Sequence, residues 1–270
     1  MLAIKNNIMA ENAARHLGMS YDALAQSVER LASGLRINSA KDDAAGLAVR
    51  ELMRADIAVL QQGARNAQDG ISLVQVAEGG MQTINDLLVR MKQLAEQAGT
   101  GTYSSAQRTI MDNEFDELAN EIERISGSAK FNGVSLLNSA TGSVSVVFGS
   151  STDTVTIDTA DVTKSGLSID TLNIGTAASA QAALTAIDSA IATANTTRAT
   201  FGAKMNRLEN TVNVIGVQVE NLQASESRVS DVDVATEMAK MTRTQVLAQA
   251  GIAMLAQANI VPQMALSLLR

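Results

Sequence analysis

The chain has 270 residues, a net charge of −7 and a pI near 4.8, a balance that excludes the basic stripe on which nucleic-acid binding depends. Apolar residues make up 46%, but with no Trp, two Tyr and four Phe they are almost all Ala, Leu, Ile, Val and Met, which suit helix-on-helix packing and make poor walls for a small-molecule pocket. The lack of Cys excludes a disulfide framework or a thiolate metal site, and His16, the one histidine, stands outside any H-E-x-x-H motif, so no cofactor or metal is expected.

The first eighteen residues do not read as a signal peptide, because Lys5, Asn6, Asn7, Glu11 and Asn12 interrupt the apolar run. A secreted form is expected to leave the cell by a route without a cleaved leader. Apolar residues then recur every 3.5 positions. Ala10, Ala14, Leu17, Tyr21, Leu24, Val28, Leu31 and Leu35 predict a first helix. Residues 33–43 break it, and Ser39, Asp42 and Asp43 are suited to cap the next. That second helix, from about 44 to 98, is roughly 80 Å long at the helical rise. Ile57, Leu60, Ala64, Ala67, Ile71 and Val74 hold one phase on it. After a slip near Gly79 and Gly80 the stripe resumes as Ala77, Met81, Ile84, Leu88, Met91, Ala95 and Ala98. Met111, Phe115, Leu118, Ile122 and Ile125 mark a shorter third helix.

Residues 139–176 change character: they are rich in Ser, Thr, Gly and Asp and nearly free of Lys and Arg. Val144, Val146 and Phe148, then Val155 and Ile157, alternate with polar residues around a loop at 149–153, a hairpin pattern. The Ser and Thr of this stretch are expected on the surface, either unmodified, the favoured reading, or carrying O-linked glycans. The longest stripe follows, from Ala180 through Leu184, Ile187, Ile191, Phe201, Leu208 and Ile215 to Leu222, with Arg198 as its only polar occupant. Helices of this length exceed the diameter of a compact domain, so the fold class expected is mainly α, an elongated rod of long antiparallel heptad helices with a small central β-hairpin. A last helix starts near Val234. Its uncharged stretch, 244–269, is long enough to span a bilayer. Against a span, Gln245, Gln249, Asn259, Gln263 and Ser267 fall within one arc, while the other faces are apolar. Such a helix must be covered, and copies of the chain itself are the cover that the pattern suggests.

Several segments resemble the bacterial flagellins. Residues 33–49, SGLRINSAKDDAAGLAV, are similar to that family's N-terminal signature. Phe131-Asn132-Gly133 followed by Leu136-Leu137 is similar to the motif that closes its N-terminal helical region, and 225–251 with the ending ANIVPQMALSLLR to its C-terminal signature. The match covers about 1–138 and 177–270. The resemblance implies a secreted, extracellular homopolymer, the motility filament. Residues 1–34 and 232–270 would form paired terminal helices of an inner tube. Residues 35–231 would form a helical rod domain, with a short variable insertion at 139–176. It also implies an export chaperone, the type III export apparatus, the filament cap and the hook–filament junction proteins as partners, and neither nucleic acid nor a membrane span.

On this resemblance Leu17, Leu24, Leu31, Met254, Leu255 and Leu266 are expected at subunit contacts, and Gln245, Gln249, Asn259 and Gln263 on the polar face of the inner tube. Arg90, Leu94 and Glu114 match positions that vertebrate flagellin-sensing Toll-like receptors read in some members; Lys92 departs from an Arg common there. Bland readings stand beside these: Arg90 as an exposed residue, Leu94 as packing, Met residues as core filler, and Asp42 with Asp43 as helix caps rather than an acid–base pair. Three other functions compete with the filament subunit. A hook–filament junction relative would share the N-terminal heptads, an enzyme would need a ligand cluster in the central region, and a helical adaptor would be fully ordered as a monomer.

Overall fold

The computed structural model describes residues 6–149 and 152–267, with 261–267 described by backbone alone. Among the described residues there are five helices: α1 (Ile8–Ser33), α2 (Ala44–Gly99), α3 (Ser105–Ser128), α4 (Ala177–Ser230) and α5 (Val234–Ser267). Between α3 and α4 lie β1 (Lys130–Phe131), β2 (Val134–Ser135), β3 (Ser143–Val147) and β4 (Thr154–Asp158), in two antiparallel pairs. The chain divides into two compact units, Ala58–Val219 and the combination of Met1–Ile57 with Glu220–Arg270.

In the Ala58–Val219 unit the heptad seam of α2 is Ala67, Gly70, Val74, Ala77, Met81, Ile84, Leu88, Met91, Ala95 and Ala98, all buried. The stripe therefore runs unbroken past Gly79 and Gly80, contrary to the slip expected there. The seam position at 70 is filled by a glycine, which a scan for apolar residues passes over in favour of its neighbour Ile71. From α4 the buried row is Ala180, Ala183, Ile187, Ala190, Ala194, Phe201 and Leu208; Leu184 and Ile191 lie half-buried beside it. Arg198, the polar member of the α4 stripe, donates to Glu78 of α2 at 2.6 Å, and Lys92 to Asp188 at 2.5 Å. Both pairs join a late residue of one helix to an early residue of the other, so α2 and α4 run antiparallel. The third helix adds Met111, Phe115, Ala119 and Ile122 to the same core. A Ser104/Gln107 capping box starts it, and Arg108 reaches back to the carbonyls of Ala98 and Thr100 to close the turn.

The β3–β4 register pairs Val146 with Val155 and Val144 with Ile157, the alternation expected from the sequence. The hairpin is seated on α2 through two glycines one heptad apart. The Phe148 carbonyl lies directly over Gly63, and Val146 Cγ2 comes within 2.9 Å of where a Cβ at Gly70 would stand. Asn66, between them, donates to the Val147 carbonyl at 2.8 Å, and Lys204 of α4 donates to the Thr156 carbonyl at 2.7 Å, so helix side chains cover both strand edges. The smaller β1–β2 hairpin turns at Asn132 and Gly133 with φ of 47° and 82°, the left-handed conformations of a type I′ turn. The stretch after the hairpin is no separate insertion: Val162, Leu167, Ile169 and Ile174 are buried in the main core. The Ile174 amide donates to Asp112 and the Lys164 amide to Glu123, tying it along α3. Thr163 is buried rather than exposed, with its hydroxyl on Asp161 at 2.6 Å.

Candidate assembly surface of the terminal helices

The unit built from both chain ends has little dry core of its own. The helix α1 is capped by Asn7, whose side-chain oxygen accepts from the Ala10 amide while its amide group donates to the Ala258 carbonyl of α5 at 2.8 Å. It ends at Gly34, with φ of 73°. Near that other end Ser27 donates to Glu237 at 2.6 Å. Asn7 thus meets the late part of α5 and Ser27 its start, which makes the two helices antiparallel.

The seam between them sets leucines among small and polar residues. From α5 it takes Glu237, Met241, Thr244, Ala248, Gly251, Leu255 and Ala258, and from α1 Ala10, Ala13, Leu17, Ser20, Leu24, Ser27 and Leu31, each buried or half-buried. At Gly251 an added Cβ would come within 3.1 Å of Leu17 Cδ1, a measure of how closely the helices approach. Three members of the α1 stripe expected from sequence turn out of this seam. Ala13, Ser20 and Ser27 take the inward places, leaving Ala14, Tyr21 and Val28 facing out, the last two 48% and 49% exposed. The small Ala13, Ser20 and Ser27 let the backbones approach between the leucines, and Tyr21 and Val28 lie on the flank.

The link between α1 and α2 is held by a charged knot. Arg30 lies 3.8 Å from Asp42 and 3.9 Å from Glu237, which Lys240 approaches at 3.6 Å. The Asp42 carboxylate accepts from Gln26 and from the Ser39 and Asn38 amides, and these hydrogen bonds, Gln26 foremost, hold it below the ordinary carboxylate range. Asp43 accepts from the Gly46 amide and caps α2. At the start of α5 Asp233 accepts from the hydroxyl and amide of Thr236 and the amide of Ala235, which lower its pKa in the same way. Both acids of the 42–43 pair are therefore engaged in turn and cap geometry. The Arg36 amide donates to the Ser230 carbonyl at 2.6 Å and its guanidinium to the Val229 carbonyl at 2.7 Å, pinning the two breaks in the helices side by side.

Many large apolar residues of these helices face outward. On α5 Val246, Leu247, Ile252, Met254 and Ile260 are between 44% and 64% exposed, and on α1 Ile8, Met9 and Met19 exceed 60%. Leu17, Leu24, Leu31 and Leu255 are half-buried in the seam, while Met254 stands out from it. Gln245, Gln249 and Asn259 are exposed. Leu266 and Gln263 lie outside the described side chains. Arg90 pairs with Glu114 at 2.6 Å, both about half exposed, whereas Leu94 is buried at 1% and belongs to the core of its unit. Sequence reasoning missed Glu237, Ser27 and Gly251 as seam residues. The available signal was a row of small residues, Ala13, Ser20 and Ser27, one heptad apart from each other. Among the described residues there is no group of carboxylate or imidazole side chains able to hold a metal, and no helix long and apolar enough to cross a membrane.

Residues 4–141 match the bacterial flagellin N-terminal helical region and residues 184–269 the bacterial flagellin C-terminal helical region. The chain is 42% identical over 272 residues to a flagellin of Halalkalibacterium halodurans, across all of both chains. It is 42% identical over 286 residues to the flagellar filament 33 kDa core protein of Treponema phagedenis, again across all of both. The crystal structure of Bacillus cereus flagellin is similar with a TM-score of 0.52 at 36% identity, over 60% of this chain and 94% of that one.

Proposed function

The chain belongs to the bacterial flagellin family and is a structural subunit of the flagellar filament; we propose that α1 and α5 are the surface through which copies of it polymerise. The observation that carries this reading is the apolar surface that the terminal pair leaves uncovered. Its seam takes in Leu17, Leu24, Leu31 and Leu255 among small and polar residues, while Val246, Leu247, Ile252, Met254 and Ile260 stand open to water. Each of these is about half exposed, so full cover by a neighbour gains roughly 1 kcal/mol gross per side chain. Residues 1–34 and 232–270 then form the inner tube, with Gln245, Gln249, Asn259 and Gln263 toward its lumen and Leu17, Leu24, Leu31, Leu255, Leu266 and Met254 in the contacts around it. The remainder, 35–231, supplies the surrounding layer.

A pair with so little core of its own gains most of its order when neighbours arrive. That keeps the free chain open enough for an export chaperone, the type III apparatus and the cap, and it makes growth cooperative. The role is non-catalytic, and it ends at the hook–filament junction. Toll-like receptor recognition of this chain would rest on the exposed Arg90–Glu114 pair, with Leu94 buried behind it. Circular dichroism before and after seeded elongation tests the assembly reading. Helix content is expected to rise on assembly, and an unchanged spectrum with elongation intact would refute order on assembly.

A further inference from the structure

We propose that Met9, Met19, Met238 and Met254 are a set of oxidation sites at which hydrogen peroxide switches the unassembled chain out of filament growth. The inference rests on α1 and α5 being the polymerising surface. Burial separates two groups of methionines, with Met53, Met205 and Met241 half-buried between them. Met9, Met19, Met254 and Met238 are 70%, 62%, 64% and 45% exposed, and all four lie on α1 or α5. Met81 and Met91 are fully buried and Met111 is 8% exposed, all three in the core of the Ala58–Val219 unit. A dissolved oxidant therefore reaches the sulfur of Met9, Met19, Met238 and Met254 and is kept from that of Met81, Met91 and Met111.

The chemistry is an oxygen transfer. The thioether sulfur attacks one peroxide oxygen, an S–O bond forms as the O–O bond breaks, and the second oxygen leaves with both protons as water. Sulfur is oxidised by two electrons and the peroxide is reduced by two. The product replaces an adaptable apolar side chain with a polar sulfoxide that demands a hydrogen-bond donor. Between Thr244 and Ile260 the helix carries no charge, and the neighbours four residues either side of Met254 are Ala250 and Ala258, with Gln257 as the polar side chain one turn on. Burying a sulfoxide there against a second subunit adds a desolvation cost that the thioether does not carry, and elongation is expected to slow roughly tenfold for each one buried. The change is reversible, because methionine sulfoxide reductases remove the oxygen.

The full-length chain is treated with hydrogen peroxide as monomer and as filament, and peptide mass spectrometry reads the added oxygen at each methionine. Seeded elongation is measured before oxidation, after it, and after enzymatic reduction. The expected result is sulfoxide at Met9, Met19, Met238 and Met254 of the monomer with Met81 and Met91 spared, loss of elongation, and its recovery on reduction. Elongation at the starting rate with all four oxidised, or no recovery on reduction, overturns the inference and leaves the filament reading standing. Equal oxidation of the four in filament and monomer overturns instead the reading that α1 and α5 are the buried contact surface, and the inference falls with it.

Discussion

Adding one methyl group to α2 at Gly63 or at Gly79 should move stability in opposite directions. Both glycines are helical, and replacing either by Ala removes the same intrinsic penalty of about 1 kcal/mol. Around Gly79 nothing lies within 4 Å of the new Cβ, so Gly79→Ala keeps the whole gain. For a protein of this size that raises the melting temperature by roughly 2–4 °C. At Gly63 the new Cβ falls on the backbone of Phe148, 2.6 Å from its carbonyl carbon and 2.7 Å from its Cα. A backbone cannot rotate aside as a side chain can, so the β3–β4 hairpin must withdraw by about 1 Å to restore van der Waals distance. That stretches the 2.8 Å Asn66–Val147 hydrogen bond beyond its useful range, a loss of about 1 kcal/mol. It also loosens Val146 and Phe148 against α2, for which overpacking typically costs about 1–3 kcal/mol. The net expectation for Gly63→Ala is a loss of about 1–3 kcal/mol. Guanidinium unfolding followed by circular dichroism measures both variants. If Gly63→Ala stabilises as much as Gly79→Ala does, the hairpin is not seated on α2 as described. Asn66→Ala supplies an internal check: it should cost about 1 kcal/mol in the parent and close to nothing in the Gly63→Ala background, because the bond is already lost there.

Leu247→Glu, which puts a charge on an outward position of α5 that is 52% exposed, should abolish seeded elongation while leaving the unfolding of the Ala58–Val219 unit within about 0.5 kcal/mol of the parent; normal elongation would remove this face of α5 from the contact. Glu237→Ala strips the buried Ser27 hydroxyl of its acceptor and should cost the α1–α5 pair about 1–3 kcal/mol, read as a lower dissociation temperature of the filament, whereas Glu237→Gln keeps an acceptor and should recover most of the loss; equal effects would show that the hydrogen bond is not what matters. Acid should weaken the terminal unit in a defined window. Asp42 and Asp233 are held below the ordinary aspartate value of 3.8, so the stability they contribute is complete above that pH and is lost as pH falls through their lowered folded-state values. The double variant Asp42→Asn, Asp233→Asn keeps the acceptors without the charge, and its acid transition should shift to lower pH and flatten; a transition coincident with the parent's would rule these groups out.

The long helices and the β3–β4 hairpin are legible in the sequence because both follow from periodicity along a single segment. A heptad row of Leu, Ile, Val, Met and Ala, with one Pro in 270 residues, determines where a helix runs, and strict alternation determines a half-buried strand pair. The outward apolar surface of α5 is legible for the same reason, since a helix apolar on most faces cannot be covered by one partner. Which residues face which neighbour is decided only by the tertiary structure. Glycine has no hydropathy signal, so Gly70 vanishes from an apolar scan although it fills a seam position, and the apparent slip at Gly79 and Gly80 is the result. The burial of Val162, Leu167, Ile169 and Ile174 along α3 has no period to announce it, because that segment has no regular structure of its own. On α1 the choice of Ser20 and Ser27 over Tyr21 and Val28 depends on how closely α5 approaches, and that distance is set by Gly251, Ala248 and Ala258 on another helix more than 200 positions away. Hydrophobicity determines that a face is buried; the size of the side chains opposite determines which face it is.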